Sequence, residues 1–138
     1  MFLQPKTTKF SKYHKGKISL KPKNIQCYQL QYGICGLKAL ESGRLTAKHL
    51  ETVRKTIKKV IKKTGKLWIN VFPHFGISSK PNENRMGKGK GKTEYYSSRV
   101  ISGSIIVEIT GVNYRLANKA LLLASKKLPI RSCYTNLI

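Results

Sequence analysis

Apolar side chains recur along this chain with two different periods, and the two periods distinguish strands from helices. Alternation with period two predicts a strand over residues 27–34. Its alternating apolar residues are Tyr28, Leu30, Tyr32 and Ile34. Shorter or similar patterns predict further strands over residues 37–40, 66–72, 94–100, 104–110 and 130–135. Gly33 and Gly36 indicate a bulge or a close backbone approach near the first strand.

Two segments have the spacing of an amphipathic helix. Thr46 is a suitable N-cap and Gly65 a suitable C-terminal glycine for a first helix of about five turns. Its apolar stripe consists of Leu50, Val53, Ile57, Val60 and Ile61. Asn113 caps a second helix over residues 114–127. The buried stripe of that helix consists of Leu116, Ala117, Ala120, Leu121 and Ala124.

The order of these elements predicts a single α+β domain over residues 27–138, with one mixed or antiparallel sheet and two helices. Residues 1–26 precede it as a basic N-terminal arm, which we expect to be extended. Ser42-Gly43-Arg44 and Ser102-Gly103 are predicted turns. Residues 73–93 contain no predicted element and form a long loop projecting from a pair of neighbouring strands. Trp68 is assigned to the core rather than to base stacking, because a single tryptophan in a strand is usually buried.

The charge balance indicates a polyanionic partner. The chain has 138 residues, with 28 Lys plus Arg against 5 acids, and a formal net charge of +23. Such a surface repels itself without counter-charge, so nucleic acid is the first candidate partner and an anionic membrane the second. The membrane is disfavoured because no apolar run approaches the length of a membrane span and the N-terminus does not resemble a secretory signal.

Two groups of cations are candidate phosphate contacts. The arm carries no acid, and its candidates are Lys6, Lys9, Lys12, His14, Lys15 and Lys17. Phe10 and Tyr13 either stack on unpaired bases or attach the arm to the domain. The surface of the first helix holds one acid, Glu51, among many cations. Its cations are Lys48, Arg54, Lys55, Lys58, Lys59, Lys62 and Lys63, and phosphate contacts are favoured over a merely solvated face.

The glycine–lysine segment, residues 85–92, is the most distinctive stretch. It consists of Arg85, Met86, Gly87, Lys88, Gly89, Lys90, Gly91 and Lys92, followed by Thr93. The glycines let the backbone approach another surface closely, and the four cations can bind a polyanion. An ordered contact with phosphates is therefore favoured over a solvated linker. A nucleotide-binding P-loop ending in Gly91-Lys92-Thr93 is disfavoured, because residue 86 is not glycine and the following residues predict a strand rather than a helix.

The sequence offers no catalytic set, metal site or cofactor motif. The five glutamates are scattered, and no nucleophile has a base nearby in the sequence. Cys27, Cys35 and Cys133 fit no zinc spacing with the histidines, and we interpret them as buried or half-buried thiols in a reducing compartment.

Several blocks, taken together and in order, resemble the bacterial-type large-subunit ribosomal protein sixteen family. They are 3–6, 14–16, 36–40, 42–47, 65–73, 80–81, 85–91, 94–95 and 123–130. The chain departs from the family pattern at residues 17–27, at His74 and at Asn82-Glu83-Asn84. At position 74 the family pattern leads us to expect an acid.

The resemblance implies a hammerhead-like α+β fold, no enzymatic activity, and a place on large-subunit rRNA beside the A site. It implies that residues 85–92 face tRNA near the peptidyl-transferase centre. The arm cations, Arg44 and the cations of the first helix would then contact rRNA, beside neighbouring ribosomal proteins and without homo-oligomerisation. The rival interpretation is a free nucleic-acid-binding protein acting outside the ribosome.

Composition bears on the compartment. Most of the basic residues are lysine, and isoleucine and tyrosine are abundant, as expected from an AT-rich genome. With no leader before the family's usual start, this favours an organelle-encoded protein of a mitochondrial ribosome, with a plastid or the bacterial cytoplasm as the alternative.

Overall fold

A computed structural model of the chain describes residues 3–18 and 28–137. Cys27 and the part of the predicted arm over residues 19–26 therefore lie outside the described residues. The elements in chain order are β1 (Cys35–Ala39), β2 (Gly43–Thr46), α1 (Ala47–Ile61), β3 (Lys66–Ile69), β4 (Phe75–Ser78), β5 (Thr93–Val100), β6 (Ile105–Thr110), α2 (Tyr114–Ser125) and β7 (Ser132–Asn136).

The strands form two antiparallel sheets, one of four strands in the order β3-β6-β1-β7 and one of three in the order β2-β5-β4. The predicted α+β class with two helices is confirmed, but the single predicted sheet is divided. The reason lies at the turn between β5 and β6, which does not close a hairpin. Its backbone bonds to the end of β1 instead, with Gly103 N donating to Ala39 O (2.7 Å) and Ala39 N to Ser104 O (2.9 Å).

The predicted first strand is wrong, because the strand begins only at Cys35. Residues 28–34 lie outside any strand, although apolar residues alternate with other residues along them. The amides of Gln31, Tyr32 and Gly33 donate to the carboxylate of Glu108 instead of to a neighbouring strand. The close approach indicated by Gly33 is confirmed, since a Cβ there would lie 2.8 Å from both N and O of Ile109.

Other strand boundaries also differ from the prediction. Strand β3 ends at Ile69 rather than at residue 72, and β4 lies inside the segment predicted to be a long loop. The pairing of β4 with β5 supplies the hydrogen bonds that form it, so the loop shortens to residues 79–92. Gly43 and Arg44 belong to β2 rather than to a turn.

Both helices begin at the predicted caps. The Thr46 side chain accepts from His49 N, and the His49 side chain accepts from Thr46 N, so both ends of a capping box are present. Asn113 accepts from Arg115 N at the start of α2. The predicted end of the first helix is wrong: α1 ends at Ile61, with Lys62 in the left-handed region at φ 58°.

The core lies where α1 and α2 pack against each other and α2 covers β1 and β7. The α1 stripe is buried at Leu50, Val53, Ile57 and Ile61. The α2 stripe is buried at Ala117, Ala120, Leu121 and Ala124. The apolar periodicity therefore identified the inner face of both helices.

Truncating the core is expected to be costly. Leu50 is 0% exposed, so Leu50→Ala should lower the free energy of unfolding by about 2–5 kcal/mol through lost transfer energy and a cavity. Urea denaturation followed by circular dichroism measures the change. Leu122→Ala is the matched control on α2, because Leu122 is 49% exposed and should change stability by only about 0.5 kcal/mol. Equal losses in the two variants would contradict the described packing.

Candidate nucleic-acid interface

The glycine–lysine segment is carried by a closed strand pair. Strands β4 and β5 are antiparallel neighbours, and Ser79 N donates to Lys92 O (3.2 Å) where the loop leaves them. A Cβ on Gly91 would lie 2.0 Å from Ser79 O, so this position requires glycine. The base of the loop is thus fixed while every residue from 80 to 90 is exposed.

The tip of the loop has an unusual backbone. Gly87, Lys88 and Gly89 have φ of 93°, 53° and 81°, three consecutive residues in the left-handed half of φ space. A Cβ on Gly87 or Gly89 would contact nothing within 4 Å, so these glycines serve the backbone conformation and not packing. Gly91-Lys92-Thr93 leads into β5 rather than into a helix, so a P-loop does not form here.

The described part of the arm, residues 3–18, forms neither helix nor strand and lies along the three-stranded sheet. Tyr13 packs on Phe75 of β4 with ring centroids 5.6 Å apart, and Phe10 meets Tyr13 edge-on at 6.0 Å. Leu3 is buried in the core. Of the two roles considered for these aromatic residues, Tyr13 therefore attaches the arm to the domain.

Two arginines hold the arm by its backbone. Arg44 Nη2 donates to the carbonyl oxygens of Lys15 (3.0 Å) and Gly16 (2.6 Å). Arg99 Nη2 donates to Lys15 O (2.7 Å), and its guanidinium lies 4.0 Å over the ring centroid of Phe75. Arg44, which the resemblance assigned to rRNA, is thus half-buried against the arm, and Arg99 is a residue that the sequence did not single out.

The arm and the glycine–lysine segment meet at Lys12 and Lys90. Lys12 Nζ donates to Lys90 O (2.6 Å), and Lys90 Nζ donates in return to Tyr13 O. Just beyond the segment, Thr93 Oγ1 donates to Ser11 O (2.8 Å). Two regions that lie more than seventy residues apart in the sequence thus form one exposed cationic surface.

The cations of α1 form a second surface. Lys48, Lys55, Lys58 and Lys59 are exposed, as are Lys62 and Lys63 just beyond the helix. Arg54 differs, because its Nε and Nη2 donate to the two oxygens of Glu51 (2.9 and 2.6 Å). The hydrogen bond from Arg54 lowers the pKa of Glu51. Among the described residues, no hydrogen bond joins these cations to the glycine–lysine segment.

A buried carboxylate organises the edge of the four-stranded sheet. Glu108 is 0% exposed and accepts from the amides of Gln31 (3.1 Å), Tyr32 (2.7 Å) and Gly33 (2.7 Å), and from the side chain of Asn70. Burial alone would raise the pKa of Glu108, but these hydrogen bonds outweigh it and lower the pKa below its ordinary value. Sequence reasoning missed this role, although one acid inside the apolar run of 105–109 was a usable signal.

Other chemistry is scarce in the described part of the chain. No group of three His, Cys, Asp or Glu side chains there could hold a metal ion. No helix among residues 3–18 and 28–137 is long and apolar enough to cross a membrane. Cys35 is buried and Cys133 half-buried, and both are free thiols, as predicted for these two.

Comparison with known proteins identifies the family. The profile of the family described as ribosomal protein L16p/L10e matches residues 5–134. The chain is 48% identical over 130 residues to large ribosomal subunit protein uL16 of Parvibaculum lavamentivorans, covering 94% of this chain and 92% of the relative. It is 47% identical over 128 residues to the uL16 of Paracoccus denitrificans (93% and 92%) and 44% over 132 residues to that of Leptospira biflexa (96% and 95%). The chain therefore belongs to the ribosomal protein L16p/L10e family.

Proposed function

We propose that this chain is a structural, non-catalytic constituent of the large ribosomal subunit, where it binds rRNA and helps to position tRNA near the A site. Membership of a ribosomal protein family supports the structural role. The observation that carries the RNA contacts is the joint surface of the arm and the glycine–lysine segment, linked through Lys12 and Lys90.

Different parts of the chain serve different RNAs in this proposal. The arm lysines and the exposed lysines of α1 contact rRNA phosphates, beside neighbouring ribosomal proteins. Residues 85–92 face tRNA, because their loop projects from a closed strand pair and every side chain from 85 to 90 is exposed. Phosphate contacts of this kind fix position without reading sequence.

Replacing lysines at the tip tests the tRNA role. Lys88→Ala with Lys90→Ala should leave incorporation into large subunits intact while slowing tRNA accommodation by about tenfold, the loss expected for one charge-assisted contact. Stopped-flow kinetics with purified variant ribosomes measures the rate. Lys88→Ala alone removes one charge from the tip and keeps the contact between Lys90 and the arm. It therefore separates the effect of lost charge on tRNA from the effect of a detached arm.

Lys126→Ala with Lys127→Ala is the matched control, since both lysines are exposed at the end of α2, away from the loop. Normal accommodation in the tip variant would contradict the tRNA role. Poor incorporation of the tip variant would instead mean that residues 85–92 contact rRNA.

The rival function, a free nucleic-acid-binding protein, predicts a different distribution in cells. Ultraviolet crosslinking of the tagged chain should recover large-subunit rRNA with arm peptides and tRNA or peptidyl-transferase RNA with peptides of residues 85–92. Crosslinks spread over messenger RNAs, with most of the protein outside large subunits, would favour the rival. We place the ribosome in mitochondria on the lysine-, isoleucine- and tyrosine-rich composition; the relatives are bacterial, and fractionation of the source cells decides between the compartments.

A further inference from the structure

A cleft of about 690 Å³ separates the two sheets on a face that neither the arm nor the glycine–lysine segment lines. Strand β3 and the residues after it form one wall, and β5 forms the other. This volume is within the range of sites that bind small ligands, about 300–1,000 Å³. Its lining includes Tyr32, Trp68, Asn70, Phe72, His74 and Arg99.

The cleft has an aromatic wall that the fold does not bury. The rings of Tyr32 and Trp68 are stacked, with centroids 6.1 Å apart and planes 23° apart. Tyr32 is nevertheless 61% exposed, and Phe72, which also lines the cleft, is 46% exposed. The sequence assigned Trp68 to the core, but the structure leaves it half-buried in this wall. Exposed, stacked aromatic residues are suited to receive another flat ring.

The polar groups of the cleft suit a nucleotide. Asn70 is oriented by the hydrogen bond from its side chain to Glu108, and an oriented carboxamide can pair with the edge of a base. Arg99 is exposed in the lining; its Nη2 donates to Lys15 O (2.7 Å), but its guanidinium still supplies positive charge for a phosphate. His74 is exposed in the same lining, with its Nδ1 3.1 Å from Phe72 O. No described residue that lines the cleft is acidic, and position 74, where we expected an acid, is histidine.

We infer that this cleft binds one unpaired nucleotide of RNA, with the base stacked on the Tyr32–Trp68 wall and the phosphate beside Arg99 and His74. The inference rests on the proposed function, since it assumes an RNA partner. It adds a site that reads an unpaired base, which lysine contacts to phosphates do not do. A peptide of a neighbouring protein is the competing occupant, but the absence of acids from the described lining and the net charge of +23 favour RNA.

Trp68 is the only tryptophan in the chain, so its fluorescence reports on this cleft. The full chain is titrated with short single-stranded oligoadenylate and, separately, with an RNA duplex of equal length, with excitation at the red edge of the tryptophan band. The single strand is expected to quench Trp68 and the duplex to leave it nearly unchanged, because paired bases cannot enter the cleft. Equal quenching by both RNAs would overturn the inference.

Variants locate the quenching. Tyr32→Ala should weaken binding of the single strand as measured at Trp68 by roughly 5- to 150-fold, the range for loss of one base-stacking contact. His74→Asp, an exposed change, should also weaken it by placing a negative charge beside the phosphate. Tyr114→Ala is the matched control, because Tyr114 is 54% exposed at the start of α2, does not line the cleft and should not affect the signal. Unchanged quenching in both cleft variants would overturn the inference.

Filter binding of large-subunit rRNA by the same preparations separates this inference from the proposed function. If the wild-type chain binds rRNA but the single strand does not quench Trp68, only the inferred cleft site is wrong. If the wild-type chain shows neither rRNA binding nor quenching, the proposed function is wrong as well. If a peptide of a neighbouring ribosomal protein quenched Trp68 and RNA did not, the cleft would be a protein-binding site and the inference of a bound nucleotide would be wrong.

Discussion

Replacing Glu108 with alanine is expected to lower the free energy of unfolding by roughly 3–5 kcal/mol, because the buried amides that bind the carboxylate would lose their acceptor. Three backbone N–H groups and the Asn70 side chain donate to this one group. Glu108→Gln keeps one acceptor oxygen and the side-chain volume, so the loss should be smaller, about 1.5–3 kcal/mol. Urea denaturation at neutral pH measures both variants.

Glu108 should also make the free energy of unfolding depend on pH in the acidic range. The folded-state pKa of Glu108 is lowered, so its contribution is fully present above the unfolded-state pKa of about 4.3 and is lost as the pH falls through the folded-state pKa. The difference in stability between the wild type and Glu108→Gln should therefore narrow below about pH 4. Denaturation midpoints recorded from neutral to acidic pH show whether it does.

Glu41→Gln is the control for this experiment. Glu41 pairs with Arg131 at 3.3 Å, but both side chains are more than half exposed (51% and 81%), so the pair should contribute little. A constant difference between the wild type and Glu108→Gln at all pH values would contradict a charged, hydrogen-bonded carboxylate at position 108.

The helices could be predicted from the sequence because their signals are local. Thr46 and Asn113 are each within three residues of the amides that they cap, and the inner faces follow from spacing along one element. The first strand was placed wrongly because its determinant is distant. The amides of Tyr32 and Gly33 donate to Glu108, which lies 76 and 75 residues further along the chain. No residue near Tyr32 or Gly33 in the sequence indicates this acceptor.

The candidate interface was predictable as segments but not as a surface. Glycine, lysine and the lack of acids marked residues 85–92 and the arm from the sequence. That Lys12 and Lys90 meet, across 78 residues, depends on the arm crossing the three-stranded sheet, which no local pattern encodes. The contact of Arg44 with the arm was not predictable for the same reason, because a guanidinium that donates to a backbone carbonyl and one that binds a phosphate have the same sequence signal.

No acidic side chain takes part in the contacts that attach the described part of the arm, residues 3–18. Arg44 and Arg99 are cations beside a cationic segment, and they bind it through the partial negative charge of the Lys15 and Gly16 carbonyl oxygens. The lysine side chains of residues 3–18 thereby stay exposed and keep their charge available to a partner. The remaining repulsion favours an added polyanion, so we expect RNA binding to be strongly electrostatic.

Affinity for large-subunit rRNA is accordingly expected to fall by roughly 10³- to 10⁵-fold as monovalent salt rises from about 50 to about 200 mM, the range for six to ten phosphate contacts. The described arm, α1 and the two lysines just beyond α1 together offer eleven exposed lysines, which is enough for this number of contacts. Each phosphate contact releases condensed counterions, so the slope of log affinity against log salt counts the contacts. Filter binding over a series of salt concentrations measures that slope.

The contribution of α1 can be read from the same slope. Replacing the exposed Lys58, Lys59 and Lys62 with alanine should reduce its magnitude by about 2–3, near one unit for each lost contact. Arg54→Ala is the matched control on this helix. Its guanidinium already pairs with Glu51 through two hydrogen bonds, so its removal should change the slope by much less than one unit. An unchanged slope in the triple-lysine variant would mean that the basic face of α1 is solvated and that the arm and the glycine–lysine segment alone bind the RNA.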